Sequence, residues 1–92
     1  MPRNTMLMFN HRFVLRTTLL GKHYIGDLET GNVMILNDTA TYVLGLIQTS
    51  AMTHTELITQ LSNDYQVLEE QIFDDVQELL DKMIMQGVLN EE

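Results

Sequence analysis

The sequence predicts an α+β domain: a three-stranded antiparallel sheet followed by three helices, with winged-helix-like proportions. Three observations carry this reading. Residues 13–36 hold three extended runs separated by turn residues. Residues 38–86 then carry apolar positions at helical rather than strand spacing. Strands first and helices after is the order of an α+β layout, not of alternating βαβ units. At 92 residues the chain fits one domain with one small core, so a deep active site with its own lid is not expected.

Residues 1–12 read as a flexible N-terminal arm, and residues 13–92 as the domain proper. Phe13, Leu15 and Thr17 alternate with Val14, Arg16 and Thr18, the period of a strand. Gly21 ends that run, and Lys22 to Leu28 form a second one. Glu29-Thr30-Gly31-Asn32 supplies the backbone freedom of a tight hairpin turn before Val33-Met34-Ile35-Leu36.

Asn37 and Asp38 then stop the strand, and either can cap a helix over about 38–48, whose apolar stripe is Ala40, Val43, Leu44 and Ile47. Thr53-His54-Thr55-Glu56 fits a capping box, with Leu57, Ile58 and Leu61 following on a second helix that ends near Asp64. The third helix has the clearest pattern, with Ile72, Val76, Leu79, Leu80, Met83 and Ile84 along one stripe. Glu69 and Glu70 suit the positive end of its dipole. Gly87 suits a left-handed cap after which Val88 and Leu89 fold back on the helix.

The net charge is −8, unevenly distributed. Residues 1–26 carry four bases and no acid, a charge of +4; residues 27–92 carry thirteen acids and Lys82, a charge of −12. Such a body repels phosphate, so no nucleic-acid partner is expected. It suits a basic partner, or simply solubility. Apolar runs such as Val33 to Leu36 fall far short of the ~20 residues of a membrane span. No signal-peptide pattern opens the chain, and no membrane partner is expected. The expected location is the cytoplasm, which the absence of cysteine fits.

The residues that carry catalysis elsewhere are missing or scattered. His11, His23 and His54 have no metal-ligand spacing, and His54, in the capping box, reads as exposed. Ser50 and Ser62 lie in no nucleophile-elbow pattern, and the five glycines form no phosphate-cradling loop. The acid pairs Glu69-Glu70 and Asp74-Asp75 are helix neighbours that point apart and stay solvated. No cofactor or metal is expected, and the inventory points away from an enzyme. Met34, Met52, Met83 and Met85 are most simply core fillers, although methionine also suits adaptable peptide-binding surfaces.

The order of fragments resembles the PqqD-like family. Those fragments are the Glu29-Thr30-Gly31 turn, Leu36-Asn37-Asp38-Thr39-Ala40 opening a helix, Thr53-x-x-Glu56-Leu57, Tyr65-x-Val67, Asp74-Asp75-Val76-x-x-Leu79-Leu80 and Gly87-Val88-Leu89. The resemblance spans about residues 13–90. It departs in the first helix, where Tyr42 and Val43 stand near a tryptophan common in the family, and at Thr49-Ser50-Ala51, which replaces the usual Asp-Gly.

The resemblance implies a RiPP recognition element of winged helix-turn-helix type. Such a domain binds the leader segment of a ribosomally made precursor peptide and presents it to a modifying enzyme or leader peptidase. Its pathways include PQQ cofactor synthesis, lasso-peptide maturation and radical-SAM modification. It also implies that the leader adds as a strand beside the third strand, in the cleft toward the third helix. That places candidate peptide contacts at Val33, Met34, Ile35 and Leu36, and at Ile72, Asp75, Val76, Leu79 and Met83. Asp74, Glu78 and Asp81 would form an acidic rim.

The residues themselves support an edge-binding mode. Residues 33–36 contain no proline, lysine or other charge, so the strand lacks the usual protection against pairing. The same open edge permits a homodimer or a homo-oligomeric scaffold. A winged-helix DNA-binding regulator is a further alternative, but residues 54–64 contain no Lys or Arg.

Overall fold

A computed structural model describes residues 5–92. Its architecture is α+β, with three helices and two small antiparallel sheets where the sequence predicted a single sheet. The predicted meander is present as β2 (Phe13–Thr17), β3 (His23–Asp27) and β4 (Val33–Leu36), in that order across the sheet. The second sheet has β1 (Met6–Phe9) at its centre. It lies between β5 (Met52–Thr53), in the link between the first two helices, and β6 (Leu89–Glu91).

Residues 6–9 thus correct the expectation of a flexible arm; the part of that expectation covering residues 1–4 lies outside the described residues. The reason is non-local. Met6-Leu7-Met8-Phe9 has no charged residue, and alternation sends Leu7 and Phe9 inward, where they are 0% and 7% exposed. The strand is held by Met6 opposite Thr53, and by Leu7, Met8 and Phe9 opposite Glu91, Asn90 and Leu89.

The helices follow their local signals closely. For α1 (Asp38–Thr49) the cap is Asn37, whose side-chain oxygen accepts from the Ala40 N–H at 2.8 Å. The capping box of α2 (His54–Tyr65) is complete. Thr53 Oγ1 accepts from Glu56 N at 3.1 Å, and Glu56 Oε1 accepts from Thr53 N at 2.9 Å. At the end of α3 (Glu69–Met85), Gly87 has φ +82°, Val88 N–H donates to Met83 O and Gly87 N–H to Ile84 O. That pair of bonds is a Schellman closure, which the positive φ of glycine permits.

One core joins both sheets to all three helices, through Leu7, Ile25, Leu44, Leu57, Leu80 and Leu89 among others. His54 lies inside it, fully buried, contrary to the expectation of exposure. Its Nε2–H donates to Glu91 Oε2 at 2.9 Å, and Thr5 Oγ1–H donates to the same oxygen at 2.6 Å. The first turn of α2 is therefore anchored to β6 through one ring nitrogen, while His54 Nδ1 is buried without a hydrogen-bond partner among the described residues.

Leu7→Ala distinguishes an integrated strand from a loose arm. It is expected to cost about 2–5 kcal/mol of unfolding free energy, the range for a leucine truncated inside a packed core. Urea denaturation of the two proteins checks this, and a cost near zero would contradict the place of β1 in the core.

Candidate functional site

β4 has β3 on one side and no strand on the other among the described residues. The ladder parity shows which backbone groups are left over. Asp27 N–H donates to Asn32 O, and Met34 and Leu36 stand opposite Ile25 and His23 in the same phase. In an antiparallel pair, hydrogen-bonded and non-bonded residues alternate. Asn32, Met34 and Leu36 therefore turn their main-chain groups toward β3, while Val33 and Ile35 turn theirs outward. Their side chains alternate as well: Leu36 is buried and Met34 half-buried, whereas Val33 and Ile35 are 59% and 71% exposed.

Beside this edge lies an open cleft of about 220 Å³, lined by Phe13, Ile25, Asp27, Asn32, Val33, Met34 and Gln86. Phe13, Ile25 and Met34 give it an apolar floor continuous with the core. Gln86, immediately after α3, closes one side. Asp27 does not face the cleft as a free carboxylate. Its two oxygens accept from Arg12 Nε and Nη2 at 2.9 and 2.8 Å, and Oδ1 also accepts from Glu29 N at 2.9 Å. The Arg12 guanidinium beside it holds the Asp27 carboxyl well below the usual carboxylate range. Glu29 Oε2 lies 3.3 Å from Arg12 Nε. Arg12 thus locks the turn that leads into β4.

The sequence-predicted contacts divide into three groups. Val33 and Met34 line the cleft, and Ile35 and Leu36 continue the same strand. Val76 and Met83, 7% and 1% exposed, are core residues. Ile72 and Leu79 are half-buried against that core. Asp74, Asp75, Glu78 and Asp81 are exposed on α3. None of these α3 residues lines the cleft, which meets this end of the chain at Gln86.

Phe13, Ile25, Asp27, Asn32 and Gln86 were not foreseen as site residues. The available signal was indirect: Phe13 and Asp27 are partners at one end of the β2–β3 ladder, a register that turn placement fixes only approximately. No group of three or more His, Asp or Glu residues able to hold a metal ion occurs among the described residues. No helix in the described chain is long and apolar enough to cross a membrane.

An unprotected sheet edge leaves main-chain donors and acceptors on which a further strand can pair. The family model described as coenzyme PQQ synthesis protein D (PqqD) matches residues 22–89 of the 92-residue chain. The chain belongs to the PqqD family, whose members are small partner proteins in PQQ and related peptide-modifying biosynthesis. Comparison with curated proteins and with solved structures gave no match.

The Arg12–Asp27 lock predicts a particular pH dependence for Asp27→Asn, which keeps an oxygen acceptor but removes the charge. Because the folded-state pKa is depressed, the wild-type advantage is fully present above the ordinary aspartate value of ~3.9. It is lost progressively as pH falls below that value. Denaturation of both proteins between about pH 7 and pH 2 checks this, and a margin that grows on acidification would contradict it.

Proposed function

We propose that this chain is a non-catalytic adaptor. It binds the leader segment of a ribosomally synthesised precursor peptide by strand addition to β4 and presents it to a modifying enzyme or leader peptidase. The single observation that carries the reading is the outward-facing main chain at Val33 and Ile35, on a strand with no neighbour on that side among the described residues. Membership in a family of PQQ-synthesis partner proteins supports the same role.

In this reading main-chain hydrogen bonds to Val33 and Ile35 set the register of the leader. An apolar leader side chain enters the cleft over Phe13, Ile25 and Met34. Asp74, Asp75 and Glu78, exposed on α3, draw basic leader residues toward the protein and speed encounter. The adaptor contributes position rather than chemistry: it raises the local concentration of the precursor at the enzyme that modifies it. A DNA-binding role finds no basic helix to enter a groove, since α2 has no Lys or Arg and α3 has Lys82 alone.

Val33→Pro is a selective test because the Val33 N–H points away from β3. Proline there leaves the β3–β4 ladder intact, removes one donor from the free edge and obstructs an incoming strand. Fluorescence anisotropy with a labelled leader from any short precursor encoded beside this gene is expected to give micromolar or tighter binding by wild type. Val33→Pro is expected to weaken it about tenfold or more, and Asp75→Arg to weaken it when the leader is basic. Unchanged leader affinity in a folded Val33→Pro protein would place the leader elsewhere. Concentration-dependent dimerisation lost in the same variant would assign the edge to a second copy.

A further inference from the structure

The meander has a second face. Cross-strand partners share a side, so Phe13, Leu15, Ile25, Met34 and Leu36 look toward the core, and Val14, Arg16, Tyr24, Val33 and Ile35 lie on the opposite side. Gly26 sits among the latter without a side chain; a Cβ there would lie 3.4 Å from Val14 Cγ2. This face therefore presents a flat apolar surface with Arg16 at its margin. Val33 and Ile35 are its most open members.

The β2–β3 hairpin of the same sheet ends in an apolar tip. There Leu19 and Leu20 stand side by side, both essentially fully exposed. The turn that carries them is ordered. Thr18 N–H donates to Lys22 O at 2.8 Å, Gly21 N–H donates to Thr18 O at 3.0 Å, and Gly21 holds φ +81°. Turn tips are normally polar, and adjacent exposed leucines on a fixed turn mark a surface made to be covered. Charge sets this region apart as well. Residues 13–26 contain Arg16 and Lys22 and no acid, whereas all thirteen acids lie from Asp27 onward. Among the described residues the Arg16 guanidinium donates to its neighbour's carbonyl, Leu15 O, at 3.1 Å.

We propose that this outer face and the Leu19-Leu20 tip form a second docking surface, and that its occupant is the enzyme that modifies the bound peptide. The enzyme would meet it with an apolar patch rimmed by carboxylates, the complement of Leu19, Leu20, Arg16 and Lys22. The proposal rests on the adaptor reading, because an adaptor holds two partners at once and strand addition at β4 leaves this face uncovered. It also makes the two events interdependent. A peptide added beside β4 places alternate side chains next to Val33 and Ile35 on the outer face. The enzyme then contacts sheet and peptide together, and each partner raises the affinity of the other by the same factor. Protein rather than lipid is favoured because a body of charge −12 is repelled by anionic headgroups.

The test uses the full chain, the leader of any short precursor encoded beside its gene, and any peptide-modifying enzyme encoded with it. Two double variants are compared with wild type: Arg16→Glu with Lys22→Glu, and Leu19→Ser with Leu20→Ser. Anisotropy reads leader affinity, and titration calorimetry reads enzyme affinity with and without leader. Both variants are expected to bind leader within about twofold of wild type and to bind enzyme about tenfold or more weakly. Leader is expected to tighten enzyme binding to wild type, and added salt to weaken it.

Equal enzyme binding by wild type and both variants overturns the proposal, as does a wild-type leader complex that binds no enzyme. Leucine-dependent binding to phosphatidylglycerol vesicles, with no effect of the variants on enzyme affinity, also overturns it and assigns the tip to a lipid surface. Failure of wild type to bind leader at all sinks the adaptor reading instead, and the anisotropy arm detects that separately.

Discussion

The structure depends on the junction where the two ends of the chain meet. Gly87 turns the chain out of α3, Val88 and Leu89 enter the core, and β6 pairs with β1. Asn10 seals the junction. Its N–H donates to Val88 O at 2.9 Å, its side-chain amide donates to Gly87 O at 2.9 Å, and its own carbonyl accepts from Phe13 N–H at 3.0 Å. One residue thus ties the end of α3 to the start of β2. Phe13 and Gln86 flank it in sequence and both line the cleft, so this junction borders the candidate site.

β2 and β4 are the outer strands of the meander, each with one open side among the described residues, and the surroundings of β4 are the better braced. β1 is enclosed between two strands, the starts of α1 and α2 are capped, and the β3–β4 turn is locked by Arg12 and Asp27. The meander is further held to α1 through His23, whose Nδ1 lies 2.8 Å from Thr17 Oγ1 and whose Nε2 lies 3.0 Å from Asp38 Oδ1. β4 is therefore supported from one side, at both ends and from beneath. An added strand would dock on a prepared template, which lowers the ordering cost that strand addition otherwise carries.

The elements of local origin were legible in the sequence. The meander follows from alternation around Gly21 and Gly31, and the apolar stripes of α1 and α2 follow from their spacing. The Thr53–Glu56 box and the Gly87 closure were readable because each is made by residues three to five positions apart. Part of the candidate site was legible for the same reason: an uncharged four-residue strand without proline is visible in Val33 to Leu36. The α3 stripe was readable as a stripe, but its division into core residues such as Val76 and Met83 and half-buried ones such as Ile72 and Leu79 depends on what packs opposite.

The sequence by itself determined the fold class, the meander, the three helices, their caps and the polarity of charge along the chain. Each is set by interactions between near neighbours or by composition. Only the tertiary structure decided the second sheet, the burial of His54 and the lining of the cleft. β1 forms because strands at the far end of the chain and between two helices offer it hydrogen bonds. His54 is buried because Glu91, brought back by β6, accepts its proton donor; Thr5, 86 residues from Glu91, joins the same oxygen. Such pairings leave no period in the sequence, since their partners are chosen by the packing of the whole core and not by spacing along the chain.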